Sequence, residues 1–417
     1  MINKSDEKGQ ALIIIALAAV GLFAFASLAI DGSMVFSDKR HAQNAADSAA
    51  LAAALAHARN NDIVTTAQNR ATSNGYDNGA MNDVTVTVVD SPTGVCPVNT
   101  AGKDITVTIL STVNTTFARV FGRTQVQNAV TATSRACGTY TGPPFPGNAI
   151  IALAPSGKGF DGSGSADWII EGGGIFSNSS SSNSAYCNGN ISIEAPSVTV
   201  VGGTDFGGSC DIDLDEPVVD DADQLTYSNY AAYFPRQPAC NGAATFAGGI
   251  VSPQPGADGS QIPFDTNADM EFEPGLYCIT NTNPNVHGEI TGTNVTFYIP
   301  SANFSMVFNG GGSLTASAPT SGDYDGILFY LAPQFDASGN LIQTQDLQLL
   351  GNGNGNIVGT IIAPSATVIM RGNSGSVFNT QIIAYDVESN GTSDVEITYN
   401  PDDNYQATLP ITITLLK

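Results

Sequence analysis

Hydrophobic positions follow three successive patterns along this chain. Ala11 to Ile30 (ALIIIALAAVGLFAFASLAI) is twenty residues without a charge. As a helix it spans roughly 30 Å, the thickness of a bilayer's apolar core. Lys4, Asp6, Glu7 and Lys8 precede it and Asp31 ends it. Ala11, Leu12, Ile15, Leu22, Phe23 and Ile30 are its membrane- or assembly-facing candidates. A cleaved signal peptide is the competing reading. Against it, the run exceeds a usual h-region and no A-x-A site leads into a non-helical start. From Asp38 to Arg70 the chain is Ala-rich, so the helix is expected to continue, with Asn74-Gly75 as its stop and Gly32-Ser33 as a kink point. Ala42, Ala45, Ala46, Ala49, Ala52 and Ala53 form a small-residue stripe. It suits close packing against another helix or against the chain's own domain.

The second regime alternates at period two. Asp83–Val89 and Ile105–Ile109 read as strands, Ser91-Pro92-Thr93-Gly94 as a turn, Val113–Gly122 as a short helix, and Gln125–Ala132 as a third strand. After the turn-rich linker Gly138–Gly147, short apolar strands alternate with Gly, Asn and Ser turns. Val198–Val201, Val295–Ile299 and Ile327–Leu331 are examples. Gly359-Thr360-Ile361-Ile362-Ala363 echoes Asn379-Thr380-Gln381-Ile382-Ile383-Ala384 about twenty residues on. Ala195–Val200 echoes Ala363–Val368, and Gly-Asn turns fall at Gly351-Asn352 and Gly372-Asn373. Such a period suits a parallel β-helix or solenoid, with a β-sandwich as the other arrangement such strands allow. Residues 395–417 would cap it or pair along an edge.

Charge sharpens this division. The 417 residues carry −24 net, yet residues 1–137 balance ten Lys/Arg against ten Asp/Glu. The excess lies wholly in residues 138–417, whose field repels phosphate backbones and excludes nucleic acid as a partner. Six cysteines (Cys96, Cys137, Cys187, Cys210, Cys240, Cys278) form no CxxC pair and suggest disulfides in an oxidising compartment. Fifteen pairings are open, and the sequential one is expected. That places the C-terminal part outside the cell's cytoplasm.

One carboxylate cluster is dense: Asp211, Asp213, Asp215 and Glu216, followed by Asp220, Asp221 and Asp223. Alternating Asp on a loop can supply oxygens to calcium, the one cofactor the chain suggests. The spacing is not that of an EF-hand, since Glu216-Pro217 stands where the loop needs Gly. A solvated acidic loop is the plainer alternative. Catalysis finds little support. His287 is the only histidine beyond the N-terminal helix, and cations for an acidic sugar are scarce, so no enzyme is expected.

Gly9-Gln10-Ala11-Leu12, the apolar run, Ala29-Ile30-Asp31-Gly32 and then Ala42-Gln43-Asn44-Ala45-Ala46-Asp47-Ser48-Ala49-Ala50-Leu51-Ala52-Ala53-Ala54 resemble the N-terminal segment of TadE/TadG-like proteins of Flp (Tad) pilus-assembly systems. Gly359–Asn373 is similar, more loosely, to a run in large TadG-like surface proteins. The resemblance implies a bitopic, pilin-like protein with its tail outside, acting in pilus assembly, anchoring or adhesion. Its partners would be the membrane, other pilus-assembly or pilin-like subunits (further copies of itself in a filament among them), and an extracellular surface or polysaccharide. Gly9 is the candidate processing point; pilin-like substrates of the prepilin peptidase carry Glu five residues on, where this chain has Ile14. The expected organisation combines α+β and all-β parts. Residues 1–75 form a transmembrane and Ala-rich helix, 76–137 a small α+β domain, 138–148 a linker and 149–417 an acidic β-solenoid. The expected location is the inner membrane with an extracytoplasmic C-terminal domain, or a cell-surface filament.

Overall fold

The computed structural model describes residues 8–92, 95–96, 100–264, 267–308, 312–350, 355–371, 377–391 and 394–416. The turns read at Gly351-Asn352 and Gly372-Asn373, and the tip of the turn at Thr93-Gly94, lie outside the described residues. The chain divides into two compact units, Met1–Tyr140 with Pro410–Lys417, and Thr141–Leu409.

The first unit begins with helix α1, Lys8–Ala58. It runs uninterrupted through Gly32-Ser33, where a kink was expected; the Ser33 hydroxyl donates to the Ile30 carbonyl at 2.8 Å. The helix does not reach Arg70. Asn60 adopts a left-handed φ of 55°, a conformation Asn tolerates better than most residues. Asp62 then caps a new helix, α2 (Ile63–Ser73), accepting from the Thr65 amide at 2.5 Å. The Asn74 side chain at the end of α2 donates to Ser48 of α1 at 3.2 Å.

Strands β1 (Asn82–Asp90), β2 (Gly102–Asn114) and β3 (Gln125–Cys137) form an antiparallel sheet, completed by Thr412–Leu416 alongside β3. The terminal strand was expected to belong with the acidic C-terminal region; its partner is in this unit. The helix read at Val113–Gly122 is only a 3-10 turn, Ala118–Phe121, ended by Gly122 at φ 83°. Ile105, Val107 and Ile109 of β2 and Val130 and Ala132 of β3 bury one face against Ala42, Ala45, Ala46, Ala49, Ala50, Ala53 and Ala54. Alanine lets the helix approach so closely that the Ser134 hydroxyl of β3 donates to the Ala50 carbonyl at 2.7 Å. The small-residue stripe thus serves its own unit, with Ala52 only half-buried at its margin.

The second unit is rich in parallel strands. They fall into three ladders that the chain visits in turn: Asn148–Ala152, Phe160–Gly164 and Asp167–Glu171 each begin a visit to a different ladder. The next three strands, Gly174–Ser177, Ala185–Gly189 and Ser192–Ala195, pair with those in the same order. One row of side chains crosses eight successive strands of a ladder: Tyr277, Phe297, Phe329, Ile361, Ile382, Ile150, Ile175 and Val198 stand in register, each 0–2% exposed. Strands about 4.8 Å apart put successive members of that row in contact. The echo read from sequence is a true register: Ile361, Ile362 and Ala363 lie beside Ile382, Ile383 and Ala384. The other echo is not, because Val198 and Ala366 belong to different ladders.

Ladder order departs from chain order. The chain enters mid-ladder, and the last strands it adds to these ladders, Ile382–Gly391 and Val395–Thr398, pair with the first, Asn148–Ala152 and Asp167–Glu171. Three visits build outward to Asp211–Leu214, and a crossover then carries the chain to the far end at Gly242–Ala243. That crossover is stitched to one ladder step by step. Asn178 Oδ1 accepts from the Leu225 amide at 2.7 Å, the Tyr330 hydroxyl donates to the Pro235 carbonyl at 3.0 Å, and the Tyr298 hydroxyl contacts Gln237 Oε1 at 3.2 Å. Cys240–Cys278 closes the far end. Val295–Ile299 and Ile327–Leu331 are therefore buried on both faces, which is why they read as unbroken apolar runs.

Candidate functional site: the clasped end of the apolar helix

Helix α1 has two unlike halves. From Ile13 to Ile30 its large side chains stand bare: Ile15 is 67% exposed, Leu22 72%, Phe23 74% and Ile30 48%. The side chains of Ala11 and Leu12 lie outside the described residues. Gly9 lies in the first turn of the helix. This half is long and apolar enough to cross a membrane.

The boundary between the halves is made by two carboxylates seven positions apart, hence on one helix face. Asp31, 4% exposed, accepts the amides of Thr116 (2.9 Å), Phe117 (2.9 Å) and Ala118 (2.6 Å), so it clasps the loop that opens the 3-10 turn. The Ala118 amide chiefly holds its carboxyl below the ordinary carboxylate range; burial opposes this, and the Thr116 and Phe117 amides add to it. Asp38 clasps the sheet. It accepts from Ser111 of β2, from Asn128 of β3 at 2.7 Å and from the Tyr76 hydroxyl at 3.0 Å. Burial, with Asp38 beside it, pushes the Tyr76 phenol well above its usual value. His41 Nδ1 lies 3.2 Å from the same hydroxyl. The sequence marks Asp31 as the end of the apolar run and as part of the TadE/TadG-like motif, but assigns neither it nor Asp38 a clasping role. A carboxylate just past such a run, followed by another a heptad later, is the signal that was available.

The cysteines pair as Cys96–Cys137, Cys187–Cys210 and Cys240–Cys278, with Cα separations of 5.6, 6.1 and 5.9 Å. The first ties the β1–β2 connection to the end of β3. The acidic cluster is dispersed. Asp211 and Asp213 are exposed on alternate positions of the outermost strand of their ladder, and Asp215 and Glu216 are exposed just beyond it. Among the described residues no group of three or more His, Cys, Asp or Glu converges as a metal site. A strand spaces same-face residues about 6.6 Å apart, which spreads these carboxylates rather than gathering them.

The second unit does hold a carboxylate unlike those in the cluster. Asp386 stands beside Thr367, and its Oδ1 is buried without a hydrogen-bond partner. Burial chiefly pushes its pKa up to about 6; the Thr367 hydroxyl opposes this, and Glu388 and Asp346 add to the rise. On the same strand set, Lys158 pairs with Asp161 at 2.9 Å and lies over the Tyr186 ring. A cavity of about 370 Å³ lies under the crossover, between Leu153, Asn178, Tyr227, Tyr230 and Leu341. Its most deeply placed amide, Asn178, is spent on Leu153 and Leu225 backbone, and its aromatic edges pack on one another.

No curated protein and no solved structure matches the chain. Residues 9–57, which include the bare half, both clasping carboxylates and most of the alanine stripe, match a family model described as "Tad: Putative Flp pilus-assembly TadE/G-like". The N-terminal segment of this chain is thus TadE/G-like, as its sequence led us to expect.

Proposed function

We propose that this is a membrane-anchored surface protein of a Flp/Tad-type pilus system, acting in pilus assembly, anchoring or adhesion. One observation carries the reading. On a single uninterrupted helix, residues 13–30 leave every large apolar side chain bare, Asp31 and Asp38 are clasped by the loop and sheet, and the alanines from Ala42 to Ala54, Ala52 apart, are buried. A bare apolar surface of that length needs a lipid or protein partner. The TadE/G-like match over residues 9–57 supports a pilus-assembly setting. The three disulfides favour an oxidising compartment for everything after the span.

We read the second unit as a β-solenoid head: three parallel ladders visited in rotation, with an apolar row running along one of them. Its acidic, wide surface suits presentation and recognition of an extracellular surface or polysaccharide, not catalysis. Alkaline carbonate should leave the full chain in the membrane pellet and detergent should release it. Leu22→Arg places a charge mid-span at about 2.5–3.5 kcal/mol and should weaken that retention. Recovery in the sheared surface fraction instead would favour the second reading, a filament subunit whose bare helix packs on other copies. Release of reducing sugars from a polysaccharide panel would overturn the non-enzymatic reading.

A further inference from the structure

The loop that Asp31 clasps carries its own exposed apolar tip. Val120 is 82% exposed and Phe117 39%, and Arg119 and Arg123 flank them in solvent. Phe36, 70% exposed, and Met34, 45% exposed, lie on α1 just beyond Asp31. The three hydrogen bonds that the Thr116, Phe117 and Ala118 amides donate to Asp31 fix this tip beside the end of the apolar run. The loop is also closed on itself: the Thr115 hydroxyl donates to the Arg123 carbonyl, and its amide to the Thr124 carbonyl at 3.0 Å. Nothing acidic occurs in the sequence from Ile105 to Cys137, so neither the loop nor β3 offers the two arginines a carboxylate, and Asp104 at the start of β2 is already paired with Arg135. Lys39 and Arg40 are exposed further along α1.

We propose that residues 117–123 form a second membrane contact, an interfacial wedge that binds a bilayer surface carrying anionic headgroups. It rests on the anchoring reading above and extends it. If residues 13–30 span the bilayer, Asp31 lies at its surface, and a loop bonded to Asp31 lies at headgroup depth. Val120 and Phe117 enter the boundary between headgroups and acyl chains, as apolar tips of peripheral proteins do. Arg119 and Arg123 carry their charge to phosphate oxygens, while their stems cover apolar surface. Asp31 is the positioning residue. By holding three consecutive amides it gives the wedge a fixed height on the helix, so that the anchor and the wedge seat together. Charge complementarity selects the lipid surface over a protein partner. The patch is small, apolar at its tip and cationic at its rim, and it adjoins the one helix among the described residues that is long and apolar enough to cross a bilayer.

The test uses the full chain reconstituted in vesicles of phosphatidylcholine, with and without phosphatidylglycerol, and lipids brominated at chosen acyl depths. Two single variants are compared, Leu22→Trp and Val120→Trp. The native Trp168 is fully buried in the other unit, and its signal is subtracted using the unsubstituted chain. Both positions are exposed, so neither substitution threatens the fold. The expected result has deep bromines quenching Leu22→Trp and shallow bromines quenching Val120→Trp, with a blue-shifted emission for the latter in anionic vesicles. Adding Arg119→Glu and Arg123→Glu should abolish most of that shallow quenching while leaving Leu22→Trp unchanged. Quenching at Leu22 with a water-like Val120 signal would overturn the wedge and leave the anchor standing. Shallow quenching that ignores both lipid charge and the arginines would overturn the anionic assignment. Absence of quenching at both positions would overturn anchor and wedge together.

Discussion

The two units bury their cores by opposite means. In the first, most contacts are made by neighbours in sequence: β1, β2 and β3 follow one another and one helix covers them, with only the terminal strand Thr412–Leu416 brought in from far along the chain. Its carboxylates, Asp31, Asp38 and Asp104, are acceptors with donors already in place. In the second, a residue's partner in the stack can lie at the other end of the unit, as Ile150 beside Ile382. There a carboxylate, Asp386, is buried with one oxygen unanswered. The first arrangement draws stability from polar clasps around a small-residue interface. The second draws it from long rows of large apolar side chains and tolerates a polar misfit between them.

That contrast can be broken by substitutions confined to one unit. Trp168, the chain's only tryptophan, reports the second unit by fluorescence, and amide exchange of α1 and β1–β3 reports the first. Phe329→Ala removes a ring from the middle of the apolar row and should cost the second unit about 3–5 kcal/mol in a Trp168-monitored denaturant titration. Equal loosening of α1 exchange would contradict separate cores.

Asp386→Asn should act next most strongly and with the opposite sign. Because the folded pKa is raised from 3.8 to about 6, the penalty is absent below pH 3.8. It grows between pH 3.8 and 6 and is constant above. The substitution should stabilise the second unit at pH 7 by up to about 3 kcal/mol and have no effect at pH 3.5. Carboxylates in the first unit run the other way. The Arg135 guanidinium chiefly holds Asp104 low, and the amide of Ala118 holds Asp31 low. Their contribution is intact above the ordinary carboxylate pKa and is lost as pH falls through the lowered folded values. Acid should therefore lower the amide-exchange protection factors (rates relative to the unstructured chain at the same pH) in β2 and in the 116–118 loop, while the Asp386 contribution moves the second unit in the opposite sense.

Ala46→Leu forces extra methylenes into the helix–sheet interface and should cost the first unit about 1–3 kcal/mol by exchange. A neutral result would mean that helix and sheet are less closely packed than the Ser134–Ala50 bond requires. Asn60→Val puts a β-branched residue at a left-handed φ and should cost about 1–2 kcal/mol, seen as faster exchange in α2 alone.

Local signals were legible and long-range ones were not. The apolar span, β1 to β3 and the register of Ile361 with Ile382 could be read because each is a pattern within a few dozen residues. The break at Asn60 was missed because the alanine-rich stretch before it dominates a propensity sum over the whole segment, which hides the Asn60-Asn61-Asp62 turn and cap. The mid-ladder start was hidden because parallel pairing leaves no mark on which strand is neighbour to which. For the same reason Asp211 and Asp213 read as a loop when they form an outermost strand. Asp31 was visible as a residue but its clasp was not, since its partners lie at Thr116 to Ala118 and are backbone amides, which carry no sequence signature.

The central claim is that the bare half of α1 lies in lipid while its alanine half lies on its own sheet. Site-directed spin labels placed one at a time from Ile13 to Ile30, in the full chain reconstituted in vesicles, test it most directly. The account predicts oxygen accessibility that peaks near Val20 to Leu22 and is equal around the helix, with low accessibility to a polar nickel reagent throughout. Uniform nickel accessibility along the span, or protection of one helical face at a 3.6-residue period as in a bundle of copies, would contradict it.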